Sequence, residues 1–180
     1  KYTHEFAKST FLREKVDGVW TETTFEQTRE EAYVIAAGLM ALGVEKGDKI
    51  ALLSEGRNLW VIGELGILYA GAVNVPLSIK LEESNDLTFR IKHSDARYIM
   101  VSQAQLKKIR TILPDCPAVE KVIVFDDIND LQEKEITISE VKKAGAEFLK
   151  TNMEAFKARY SSVGPDDYAN ISYTSGTTAD

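Results

Sequence analysis

Cysteine is almost missing from this chain: Cys116 is the only one in 180 residues. That excludes an internal disulfide and a thiolate zinc site, and makes a reducing compartment, the cytoplasm, the expected location. Histidine is as scarce. His4 and His93 lie too far apart in sequence to make a local metal motif, so solvated or structural roles are expected of both. No cluster of Lys and Arg occurs; 22 basic residues are scattered among 28 acidic ones, for a net charge of −6. Neither nucleic acid nor an anionic membrane is therefore expected as the main partner. The N-terminal run Lys1-Tyr2-Thr3-His4-Glu5-Phe6 is polar and carries no secretory signal, and its start on Lys suggests that the native protein begins earlier. The most apolar stretch, Trp60 to Leu77, is interrupted by Glu64, Asn74 and Pro76, and reads as a helix followed by a buried strand rather than a membrane span. Internal repeats, low-complexity tracts and a G-x-x-x-x-G-K-[ST] nucleotide motif are also absent.

What remains suits one well-buried core: 44% of residues are hydrophobic and 28% charged. Thr24 and Gln27 form a capping box, after which Ala32, Ile35, Ala36, Leu39 and Leu42 repeat at helical spacing until Gly43. Strands are expected at Lys49–Ser54, Val73–Pro76, Arg97–Val101 and Lys121–Phe125. Between them fall helices over Asn58–Ala70 and Glu82–Ser94, then one opened by a Ser102/Gln105 capping box and closed near Pro114. Strand and helix alternating in this way define an α/β fold, a mostly parallel sheet flanked by helices. From Asp126 to Gly164 the pattern turns polar and helical, with capping boxes at Thr137/Glu140 and Thr151/Glu154 and no clear strand. It reads as a peripheral excursion before a final strand at Asn170–Tyr173.

That last strand opens into the string Thr174-Ser175-Gly176-Thr177-Thr178-Ala179-Asp180. Four hydroxyls, together with backbone N–H groups freed by an irregular turn, can surround an anion, and Gly176 tolerates angles that would strain a Cβ. A solvated turn is the plain alternative. A rival site is Asp126-Asp127, paired carboxylates after a strand that could hold Mg²⁺ in a non-catalytic receiver-like module. The favoured reading is that they begin a loop and cap the next element. Trp60, Tyr69, Phe89 and Tyr98 are expected in core packing rather than in a ligand cage. Gly63, Gly66 and Gly71 are expected at close helix contacts.

The string Val163-Gly164-Pro165-Asp166-Asp167-Tyr168-Ala169-Asn170-Ile171-Ser172-Tyr173-Thr174-Ser175-Gly176-Thr177-Thr178 resembles the approach to the nucleotide loop of the adenylate-forming (AMP-binding) enzymes. Further blocks, Trp20–Phe25, Ala37–Ser54 and Gly71–Leu77, look like the same family in the same order. In that family the loop usually continues with Gly, a variable residue and Pro-Lys-Gly; here Ala179 stands in place of the Gly.

The resemblance implies that 1–180 is the first α/β part of a large N-terminal domain, most like that of a long-chain fatty acid CoA ligase. Fatty acid and ATP would give acyl-AMP and pyrophosphate, and CoA would then take the acyl group. It assigns nucleotide binding to Tyr173, Thr174, Ser175, Gly176, Thr177 and Thr178, and contact with Mg²⁺ to Thr174. The expected small molecules are fatty acid, ATP and CoA. Short-chain, aryl and amino acids stay open, because the family builds its acid pocket from later sequence. The piece by itself is expected to be inactive and to self-associate, with no transmembrane segment, though peripheral contact with a membrane is allowed.

Overall fold

Thr24 accepts the Gln27 N–H at 3.2 Å while the Gln27 side chain accepts the Thr24 N–H at 2.9 Å, so the expected capping box opens helix α2 (Phe25–Ala41). Gly43, at φ +92°, ends it in the left-handed region. The computed structural model describes residues 2–81 and 85–174. Before α2 come a single turn, α1 (Tyr2–Glu5), and an antiparallel hairpin of β1 (Thr10–Val16) and β2 (Val19–Thr24). The hairpin was not legible from periodicity, since most of its residues on both strands are exposed and apolar and polar residues do not alternate along them. Its turn, Asp17-Gly18, does carry a signal, with φ at +49° and +83°.

The core sheet is parallel and five-stranded, in the order β4-β3-β5-β6-β7. It comprises β3 (Lys49–Leu53), β4 (Val73–Pro76), β5 (Ala96–Val101), β6 (Lys121–Val124) and β7 (Glu135–Thr137). On one face lie α2, α3 (Asn58–Tyr69) and α6 (Ile138–Ser161), packed on Ile50, Leu52, Tyr98, Met100 and Ile123. On the other, α4 (Asn85–His93) and α5 (Gln103–Ile112) cover Ala51, Leu53, Val75, Ile99, Val101, Val122 and Val124. The α/β class is as expected from the alternating pattern.

Six details of the sequence reading are corrected. The 126–164 segment is not peripheral and does contain a strand, β7. Its helix α6 buries Val141 and Phe156 in the core. Gly145 of α6 lies so close to α2 that a Cβ there would stand 2.0 Å from the Val34 carbonyl oxygen. The Thr137/Glu140 box forms, but the Thr151/Glu154 box does not. The helix runs through Thr151 and kinks at Asn152, whose amide reaches back to the Phe148 carbonyl, while Glu154 pairs with Lys157. Ser102 gives no side-chain cap to α5, because a carboxylate from another strand end takes that place: Asp126 accepts the Gln103 N–H at 2.8 Å. The final strand shrinks to one parallel bridge between Asn74 and Asn170. Phe89 is half-exposed at 52% and stacks on His93 instead of entering the core, whereas Tyr98 is buried and Trp60 and Tyr69 pack at its margin. Gly63 and Gly66 do sit at close contacts, against Phe125 and Ile35, but Gly71 occupies the turn after α3 at φ +73°.

Candidate functional site

The segment that carries the hydroxyl loop is fastened to the open edge of the sheet. Asn74 in β4 donates its backbone N–H to the Ala169 carbonyl at 3.0 Å and accepts the Ile171 N–H at 2.9 Å. The approach is braced by a turn in which Asp167 accepts the Gly164 N–H and meets Lys46, each at 2.8 Å. Lys46, aided by that N–H, holds the Asp167 carboxyl below its ordinary range. A cleft of about 450 Å³, bounded by Gly71, Val73, Tyr168 and Ile171, lies beside this turn.

From Asn170 onward, residues alternate as a strand would. Ile171 and Tyr173 pack against the α4/α5 face, while Asn170 and Ser172 point outward, with the Ser172 hydroxyl donating to Asn170 Oδ1 at 2.9 Å. Tyr173 is the better anchored of the expected site residues. Its hydroxyl shares a hydrogen bond of 2.9 Å with His93 Nδ1 and lies 3.3 Å from the Arg90 carbonyl, and the Arg90 guanidinium sits 5.2 Å from the ring centre. Burial raises the Tyr173 phenol above its usual range. Tyr173 thus faces α4 and ties the segment to that helix. Thr174 follows it and is exposed. Ser175, Gly176, Thr177 and Thr178 lie outside the described residues.

Sequence reading gave His93 a solvated or structural role, and the structure gives it the structural one. The role of Asn74 was missed, although one signal was available: an asparagine between two valines in a strand otherwise apolar up to Pro76. The rival carboxylates are engaged elsewhere. Asp126 pairs with Arg57 at 2.8 Å, and Asp127 accepts the Ser139 hydroxyl at 2.9 Å. Among the described residues no three His, Cys, Asp or Glu side chains gather as a metal site. Among them, too, no helix is long and apolar enough to cross a membrane.

A parallel sheet flanked by helices, with the segment that leads to Thr174 bonded to its β4 edge, defines an α/β protein. The chain belongs to the AMP-binding enzyme family, whose model matches residues 4–180. Among curated relatives, it is 27% identical over 164 residues to long-chain-fatty-acid–CoA ligase FadD15 of Mycobacterium bovis, a match covering 91% of this chain and 26% of that protein. It is 25% identical over 175 residues to 4-hydroxybutyrate–CoA ligase 2 of Metallosphaera sedula, covering 93% of this chain and 30% of the relative. The fold is that of the anthranilate CoA ligase AuaEII, solved with anthranoyl-AMP, at a TM-score of 0.76 and 23% identity over 99% of this chain and 31% of that one. The chain thus spans about a quarter of the length of the first of these relatives.

Proposed function

We propose that this chain is the loop-bearing part of an ATP-dependent acid–CoA ligase, and that its acid is a long-chain fatty acid. The observation that supports this reading most is the pinned edge segment: the residues that lead into the hydroxyl string are bonded to Asn74 through Ala169 and Ile171, inside a chain that the family model matches over residues 4–180. The fatty-acid relative favours the long-chain substrate. The 4-hydroxybutyrate relative, at nearly the same identity, keeps a small hydroxy acid as the second reading.

In the proposed reaction the acid's carboxylate oxygen attacks the α-phosphorus of ATP. A P–O bond forms to give acyl-AMP as the bond to pyrophosphate breaks. The thiolate of CoA then attacks the acyl carbonyl carbon and AMP leaves. Thr174, Ser175, Thr177 and Thr178 would donate hydrogen bonds to the departing pyrophosphate, with Gly176 allowing the backbone to approach it. Tyr173, held by His93, would fix where that loop begins. In the cell, Mg²⁺ would accompany the ATP and neutralise its phosphates. A reducing compartment such as the cytoplasm suits Cys116, which is buried and free.

The test is acid-dependent ATP–pyrophosphate exchange by the full-length ligase that contains this chain, across long-chain fatty acids, 4-hydroxybutyrate and aryl acids. Exchange strongest with long-chain acids supports the reading; exchange strongest with 4-hydroxybutyrate selects the second; no exchange with any acid overturns both. The 180-residue chain by itself is expected to give none. Thr177→Ala in the full-length enzyme is expected to lower the pre-steady-state rate of acyl-AMP formation about a hundredfold, the cost of one lost donor of roughly 3 kcal/mol. An unchanged rate at saturating ATP and acid removes Thr177 from this role. Among the described residues the edge of β4 is met at Asn170 alone, so the chain is also expected to self-associate, which light scattering across a concentration series would reveal.

A further inference from the structure

Asn74 is completely buried, at 0% exposure, in a strand where Val73 and Val75 are core residues. A valine or isoleucine would be the ordinary occupant of such a position. Asn74 instead spends its side-chain amide on Glu64 of α3, with Nδ2 donating to Oε1 at 2.8 Å. Its Oδ1 is buried without a hydrogen-bond partner among the described residues. Its two backbone groups are the ones that hold the loop-bearing segment, through Ala169 and Ile171. A costly polar residue therefore stands at the one bridge by which, among the described residues, that segment joins the sheet.

Resting on the function proposed above, we propose that Asn74, supported by Glu64, is a positioning residue that fixes the register of the segment entering the nucleotide loop. A strand held by a single bridge can slip, and a slip of one residue exchanges its two faces. In the observed register Asn170 and Ser172 lie on the outward polar side, and Ile171 and Tyr173 reach the α4/α5 core. Slipped by one, Tyr173 would leave His93, and Thr174, three residues beyond Ile171, would be displaced with it. Buried polar groups are best attested as devices that choose one register at a cost in stability, and Asn74 has the features of one.

The reading makes stability and position move separately. The variants are Asn74→Val and the double variant Asn74→Val/Glu64→Leu, which replaces the polar pair by apolar residues and leaves the backbone bonding groups in place. In the chain itself, the double variant is expected to melt at or above the wild-type temperature, while exchange of the Ile171 amide quickens about tenfold. Unchanged Ile171 exchange overturns the proposal. So does a loss of melting temperature that accounts for the faster exchange, since that is the behaviour of a packing residue. In the full-length ligase, kcat/KM for ATP should fall about tenfold to a hundredfold, with the KM for the acid unchanged. An unchanged kcat/KM for ATP, or an equal loss in the acid KM, also overturns it. Should the wild-type full-length protein show no acid-dependent exchange, the proposed function fails, and amide exchange in the chain still decides the register role.

Discussion

The two faces of the central sheet are closed in different ways. On the α2/α3/α6 face, helices meet backbone to backbone: a Cβ at Gly38 would lie 2.2 Å from the Val141 carbonyl oxygen, and one at Gly145 2.7 Å from the Gly38 nitrogen. An aromatic nest finishes this face, with Tyr33 edge-on to Tyr69 at 4.7 Å and near Phe156 at 5.3 Å, and Lys142 paired with Glu31 across the helices. On the α4/α5 face, two amphipathic helices lie over aliphatic strands, and the cover is completed by Ile171 and Tyr173 from the loop-bearing segment. The first face is thus closed chiefly by helices, with Leu12 of β1 and Val44 at its margin. The second includes Ile171 and Tyr173 of the segment bridged to β4 in its own packing, so a disturbance of that surface should reach that segment.

The sharpest way to break the comparison is to overfill the first face. Gly145→Val sets its new atoms against backbone that cannot step aside, and should destabilise the chain by about 4 kcal/mol or prevent folding. Urea denaturation followed by circular dichroism measures it; a change below about 1 kcal/mol would show that α6 can lift off without consequence.

An intermediate effect is expected where α5 is tied to β7. Arg110 holds Glu135 through two hydrogen bonds of 2.8 Å, and the Glu135 side chain is only 1% exposed. Burial by itself would raise the Glu135 carboxyl, but Arg110 and the Gln132 N–H outweigh it and hold the group below its ordinary 4.5. A carboxyl depressed on folding stabilises the fold above its unfolded pKa, and that contribution is lost as pH falls through the folded value. Glu135→Gln should therefore cost about 2 kcal/mol at neutral pH, and its stability should converge on wild type as the buffer is taken well below pH 4.5. A gap that persists in acid would place the effect in packing rather than in charge.

The smallest effect belongs to the second face. Tyr173→Phe keeps the ring and removes the hydroxyl shared with His93, costing about 1 kcal/mol or less. Its informative readout is local: exchange of the Ile171 amide should quicken while the melting temperature hardly moves. If both change in proportion, the segment is an ordinary part of the core and the contrast between the faces disappears.

Within its own residues the sequence determined much of this. The α2 capping box, the apolar runs of β3 to β6 and the α/β alternation are set by spacing, because caps and hydrophobic periodicity act between residues close in the chain. The hydroxyl string after Tyr173 is legible for the same reason. Tertiary structure alone decided the rest. β7 is three residues long and exists because β6 is there to pair with it, and α6 became a core helix because Gly145 and Gly38 admit close contact with α2. The Ser102 box lost to a carboxylate from β6's end, and the strand at Asn170–Tyr173 was cut to one bridge because only Asn74 on the sheet edge meets it. Each of these depends on partners distant in the chain, and a local pattern carries no record of which distant group will arrive first at a hydrogen bond.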